Sequence, residues 1–350
     1  MSRIAHLDAD AFFYSVHLQL DPSLAGKPVI VAGDSARSVV STASYEARAF
    51  GIGSGMSVVR AKMLCPHVVF VKPSFDSYRE VSQQVWRIVG DQLGPLEQAG
   101  LDEAYADLTD QEYPVSLLRS TIKLVKDYTG IQLSAGLGPN RLIAKVASDA
   151  EKPAGFLVLT QEQAQERFAK SHPGIIPGIG PKSQQALAQL GVHTLERLRE
   201  CPPALLSSRF SERTIGELKH RAHFNGSDKL QTVRQRKSRS AEETFSVDLT
   251  DPLEMEEEIR LLAQRVGRDL TRREQAGATI GIKVRMADWT TYTRDQTIDH
   301  PTCDSEEIFR VAAELLHASP PEEPVRLLGV RVGGLDRSDG DFDHQLQLFS

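Results

Sequence analysis

The stretch Arg3-Ile-Ala-His-Leu-Asp-Ala-Asp-Ala-Phe-Phe13 runs apolar until it meets an acid, and that acid decides how the chain is read. Arg3–Leu7 reads as a strand ending on Asp8, and Ala11–Gln19 as a helix that stops before Asp21-Pro22. A carboxylate at a strand end suits a metal ion, because ligand sites of α/β folds gather there; the competing reading of Asp8 or Asp10 is a helix cap. A second acidic pair lies in Leu101-Asp-Glu-Ala-Tyr-Ala-Asp107, inside a strand-like segment over 100–108. Strands are poor in Asp and Glu. Adjacent strand residues point to opposite faces, so Asp102 and Glu103 share one metal only near a strand end or turn. Three carboxylates from two strands make a hard, oxygen-rich site suited to Mg²⁺. Two such ions about 4 Å apart would clamp the attacking and leaving oxygens of an in-line phosphoryl displacement.

Phosphoryl chemistry also needs cations. Ser44-Tyr-Glu-Ala-Arg-Ala-Phe-Gly51 places Tyr45 and Arg48 three apart, on one helical face, and Lys152 follows a helix over 140–150 that Asn140 caps. Each cation alone is an ordinary solvated side chain; the combination gives them meaning. Around them, residues 1–160 alternate short β-branched runs with amphipathic helices, a mixed α/β layout. From Gln161 the pattern turns to short helices and Pro/Gly-rich loops. A basic run, Val233-Arg-Gln-Arg-Lys-Ser-Arg239, then reads as a linker to a second β/α module of about 95 residues, a usual domain size.

The 350 residues are 40% hydrophobic and 25% charged, which excludes global disorder and fibrous repeats. No apolar run reaches the ~18 residues of a membrane span, and the N-terminus turns acidic before a signal-peptide core forms. Three distant cysteines, Cys65, Cys201 and Cys303, fit a reducing cytosol and exclude a disulfide framework or a CxxC metal site. The net charge of −6 argues mildly against a nucleic-acid partner until it is resolved by segment. Residues 166–240 hold 14 Lys+Arg and 6 Asp+Glu, net +8, leaving 27 and 41, net −14, for the rest.

DADAFF at 8–13, SYEARAFG at 44–51, LDEAYADLT at 101–109 and NRLIAKVASDAEKPAG at 140–155 together resemble the Y-family translesion DNA polymerases, in particular the DNA polymerase IV branch. The likeness extends over nearly the whole chain. It implies an α+β multidomain right-hand polymerase: palm over 1–10 and 70–160, small fingers over 11–69, a helical thumb over 161–229, a basic linker over 230–241, an α/β little finger over 242–337 and a tail over 338–350. It implies a low-fidelity DNA-directed DNA polymerase that adds dNTPs to a primer 3′-OH, bypasses lesions and has no room for a proofreading exonuclease. By resemblance Asp8, Asp102 and Glu103 are the catalytic, metal-binding acids, with the Ala9 carbonyl as a further ligand for two Mg²⁺ ions. Phe13, which pattern alone reads as core, matches the aromatic gate that excludes a ribose 2′-OH. Thr42, Tyr45, Arg48 and Lys152 match positions that hold the incoming triphosphate, and Asp10 is read as structural. Two departures stand out: Gly100 where relatives carry Ser, and Ala106 where they carry a larger apolar residue.

Ile176-Pro-Gly-Ile-Gly-Pro-Lys182 has the form of a helix-hairpin-helix turn, in which Gly178 and Gly180 allow close backbone approach and Lys182 opens the next helix. With Arg234, Arg236, Lys237 and Arg239 of the linker, it is expected to follow a DNA backbone without reading sequence. The terminal Gln345-Leu-Gln-Leu-Phe349 resembles the peptide by which bacterial polymerases dock on the sliding clamp, with Leu346, Leu348 and Phe349 as anchors and Gln345 for orientation. Primer-template DNA, dNTP and the clamp are the expected partners of a cytoplasmic monomer. Two other classes share some of these features: a nucleotidyl cyclase-like palm enzyme, which primer-independent turnover would reveal, and a non-catalytic clamp-bound scaffold, which would have lost the acids.

Overall fold

The computed structural model describes residues 2–233 and 236–335, in two compact units that part near residue 233. The first unit opens with β1 (Ile4–Ala9), α1 (Phe12–Leu20), β2 (Val29–Ala32), β3 (Val40–Ala43), α2 (Tyr45–Arg48), α3 (Val58–Leu64), β4 (Val69–Val71) and α4 (Phe75–Leu93). It continues through β5 (Leu96–Gln98), β6 (Glu103–Asp107), α5 (Pro114–Thr129), β7 (Leu133–Gly138), α6 (Arg141–Ala150) and β8 (Phe156–Val158). Five short helices complete it: α7 (Gln161–Arg167), α8 (Pro181–Gln189), α9 (Leu195–Glu200), α10 (Pro203–Leu206) and α11 (Glu212–Ala222).

The main sheet has the order β5-β6-β1-β7-β8, antiparallel except for the parallel β7–β8 edge. β1 lies at its centre and every one of its residues is buried, as an inner strand covered on both faces must be. Alternation sends Ala5, Leu7 and Ala9 into a core shared with Val85 and Val89 of α4 and Leu118 and Val125 of α5. His6 and Asp8 point to the other face, where register sets Asp8 opposite Glu103 and Ser134, and His6 opposite Tyr105 and Gly136. α6 covers part of that face, capped by the Asn140 side chain, which accepts from the Ile143 amide at 2.9 Å. Gly136 permits the approach: a Cβ there would meet the Ala144 carbonyl and stand 2.5 Å from the Ser148 amide nitrogen. A smaller sheet, β3-β2-β4, forms over 29–71, and α7–α11 gather around Leu187, Leu195, Leu198, Ile215 and Phe224.

The second unit contains β9 (Ser238–Leu249), α12 (Pro252–Arg272), β10 (Gly277–Met286), β11 (Thr291–Thr302), α13 (Ser305–Ala318) and β12 (Val325–Leu335). Its antiparallel sheet has the order β11-β10-β12-β9. Ile280, Ile282 and Val284 of β10 alternate inward onto Leu262 and Val266 of α12 and Val311 of α13. Among the described residues no helix is long and apolar enough to cross a membrane.

Four local differences from the sequence expectation have physical causes. β1 runs on through Asp8 to Ala9, because both neighbours supply backbone partners there. The segment expected as one strand over 100–108 begins as a bend; the strand starts only at Glu103. β5, α3 and β8 are too short for periodicity to reveal. The run read as linker gives way to β9 at Ser238, since Arg239 pairs with Val332 in the ladder.

Candidate active site

Asp8 reaches its position because β1 ends beside the bend that carries Asp102. The Ala9 amide donates to the Asp102 carbonyl at 2.8 Å. The neighbouring Leu101 carbonyl accepts from Ser82 Oγ at 2.6 Å and from Trp86 Nε1 at 2.9 Å. The bend frees Asp102 from strand alternation, so it can face the same region as Glu103. Asp8, Ala9, Phe13, Thr42, Tyr45, Arg48, Asp102 and Lys152 line one cavity of about 210 Å³, together with Ser41 and Ser54. Eight of the residues expected at the site therefore meet, although they arise from four separate segments. Glu103 stands just behind, across the strand pair from Asp8.

Two ammonium groups answer the acids. Lys152 Nζ lies 2.6 Å from Asp8 Oδ1 and 2.8 Å from Asp149 Oδ1. Lys145 Nζ lies 3.0 Å from Asp8 Oδ2 and 2.9 Å from Glu103 Oε2. Contacts from His6 and, at shorter range, Lys145 hold the Glu103 carboxyl down at about 2. Burial and the nearby Asp8 push Asp102 the other way, above the usual carboxylate range. Burial favours neutral Lys145, but the carboxylates around it, Asp8 first, prevail and raise its pKa.

Asp10 is buried and satisfied by protein alone: it accepts from Ser134 Oγ at 2.8 Å and from the Ala154 amide at 2.8 Å, with Tyr45 Oη at 3.4 Å. It ties the turn that follows Lys152 to the sheet. Arg48 lies over the Tyr45 ring, 4.6 Å from its centroid, so the spacing of three did place both on one face.

The donor set fits a hard dication. Asp8 and Glu103 offer carboxylate oxygens that, with a His6 ring nitrogen, lie within 4.8 Å of one another. His6 Nε2 is buried 3.4 Å from Glu103 Oε2 and has no hydrogen-bond partner among the described residues. Both lysines already sit where positive charge is wanted. His6, Lys145, Ser148 and Asp149 escaped the sequence reading. The spacing of Lys145 and Asp149 is a usable signal, since residues four apart share a helix face.

Elsewhere, Gly178 has φ +88°, and the carbonyl before it, of Pro177, accepts from Arg221 Nη1 at 2.7 Å. Gly180 is the N-cap of α8, and Gly178, Gly180 and Lys182 are exposed. Arg236 and Lys237 are also exposed. The Arg239 side chain is 10% exposed, with Asp269 at 3.5 Å and Gln275 at 3.1 Å from its guanidinium. Arg234, Gln345, Leu346, Leu348 and Phe349 lie outside the described residues.

The model of the impB/mucB/samB family matches residues 7–149, and that of the family's C-terminal domain matches residues 236–348. A DNA polymerase IV of Alkalilimnicola ehrlichii is 39% identical over 355 residues, spanning 99% of both chains. One of Staphylococcus epidermidis is 35% identical over 343 residues, with 96% of each chain covered. Among solved structures, a Y-family DNA polymerase chimera superposes with a TM-score of 0.84 at 24% identity, covering 95% of this chain and 99% of that one, which establishes the likeness of fold.

Proposed function

Because this chain belongs to the impB/mucB/samB family of Y-family DNA polymerases, we propose that it extends a primer 3′-OH with dNTPs under template direction, at low fidelity and across damaged bases. The observation that carries the site assignment is the single cavity that joins Asp8 and Asp102 to Phe13, Tyr45, Arg48 and Lys152. Asp8, Asp102, Glu103 and the Ala9 carbonyl would hold the metal, two Mg²⁺ ions by the hardness of the donors. When bound, the metal supplies Lewis-acid charge to the reacting phosphate and its leaving group. Thr42, Tyr45, Arg48 and Lys152 orient the triphosphate and oppose its charge, as positioning and electrostatics dominate phosphoryl transfer. Phe13 walls the sugar side and rejects a 2′-OH sterically.

The main sheet with α4–α6 serves as palm (1–10 and 70–160), the small sheet as fingers (11–69), α7–α11 as thumb (161–229) and the second unit as little finger (242–337). Gly178, Gly180 and Lys182 of the α8 turn and Arg236 and Lys237 of the linker would follow the phosphate backbone. The tail peptide at 345–349 would dock on a sliding clamp, and the enzyme would act in the cytoplasm as a monomer. Retention of all three acids separates this reading from a scaffold, and the basic stretch from a cyclase. Primer extension with dNTPs and rNTPs, on damaged and undamaged templates, tests it: deoxynucleotide-selective extension past lesions is expected, and turnover without primer would overturn it.

A further inference from the structure

Lys145 lies outside the cavity yet touches the acids more often than any side chain around it. Its ammonium is 3.0 Å from Asp8 Oδ2, 2.9 Å from Glu103 Oε2 and 3.4 Å from Asp149 Oδ2, and its side chain is only 19% exposed. It cannot relax away easily. α6 is pressed onto β7 at Gly136, and one turn further Ser148 Oγ shares a 2.7 Å hydrogen bond with His6 Nδ1, both fully buried. The helix thus fixes the stem of Lys145 while its head spans β1 and β6, the two strands that carry Asp8 and Glu103. A short ammonium bridge between opposed carboxylates does two things at once. It cancels the repulsion that would splay them, and it occupies oxygens that a divalent cation would use.

We propose that Lys145 is a positioning residue that holds Asp8 and Glu103 at ligand spacing and is the internal counter-ion that an arriving divalent cation has to displace. This rests on the reading of Asp8, Asp102 and Glu103 as metal ligands. Lys145 therefore weakens cation binding in the resting protein and supports turnover in the loaded one. A residue that merely stabilises the fold would support both or neither.

The test is a titration of the full chain with Mn²⁺, free ion read by electron paramagnetic resonance without DNA, paired with primer extension at saturating Mg²⁺. Lys145→Met is expected to bind Mn²⁺ at least about tenfold more tightly, from loss of a nearby like charge, and to lower kcat at least about tenfold. Lys145→Arg should restore both. Lys145→Gln, which keeps a donor without the charge, should bind as tightly as Lys145→Met and guards against misfolding of the apolar variant, with melting curves as control. Unchanged or weaker Mn²⁺ binding by folded Lys145→Met and Lys145→Gln would overturn the proposal. Mn²⁺ binding by the otherwise wild-type chain that Asp8→Asn leaves intact would instead overturn the ligand reading beneath it.

Discussion

The Phe13 ring stacks on Tyr78, centroids 4.2 Å apart and planes 12° apart. Tyr78 is fully buried, and its hydroxyl is 2.7 Å from His17 Nε2. The aromatic wall of the cavity is thereby pinned from behind by a residue that does not line it. Phe13→Val is expected to raise ribonucleotide use relative to deoxynucleotide by at least about tenfold, and Tyr78→Leu to do so more weakly, by letting the Phe13 ring move. The ratio of kcat/KM for the two nucleotide types measures both.

The bend that carries Asp102 is tied to Ala9, Ser82 and Trp86 through the Asp102 and Leu101 backbone carbonyls, which a change of the Asp102 side chain leaves in place. Asp102→Ala should leave melting temperature and DNA affinity nearly unchanged. Primer extension should fall by about 10³-fold or more, the several kcal/mol that metal-borne charge supplies. Persistent extension would sink the assignment.

His6 is fully buried, and burial depresses its pKa below the ordinary 6.5. Below pH 6.5 the unfolded chain takes up a proton that the native state refuses, so stability falls as pH falls, with a limiting slope of about 1.4 kcal/mol per pH unit. Glu103, held at about 2, adds stability above the usual 4.5 that is lost as pH drops toward 2. Asp10 and Asp102, both raised by burial, work in the opposite sense, gaining native stability as they protonate. A His6→Gln variant isolates the first contribution: without divalent cations, its melting temperature should depend less on pH between about 6.5 and 5 than that of the parent.

Gly136 has no room for a methyl group between β7 and the backbone of α6. Gly136→Ala should cost about 1–3 kcal/mol in urea unfolding. It should also reduce turnover in the folded fraction, because lifting α6 withdraws Lys145 from Asp8 and Glu103. A variant as stable and as active as the parent would show that α6 is not seated as described.

Much of this site is legible in the linear chain. The acids stand out because strands disfavour them, and Tyr45 and Arg48 because helix geometry pairs residues three apart. Asp102 and Glu103 posed a sharper question, since strand alternation forbids them one face; the bend before β6 answers it. Lys145 stayed hidden because an isolated lysine in an amphipathic helix resembles any solvated cation until its partners are known. Arg239 shows the converse: a basic run looks free in the sequence, yet a ladder and a carboxylate engage one of its members.

What the amino-acid order determined by itself is local: periodicity set the longer helices, capping placed Asn140, and alternation divided β1 into a core face and an acid-bearing face. Which acids meet which cations was decided only by tertiary structure. Asp8, Asp102, Lys145 and Lys152 are brought together by cross-strand register and by a helix that packs onto a glycine. Such pairings depend on long-range contacts, and the electrostatics follow from them, because burial and proximity, not residue identity, set the strength of each charge.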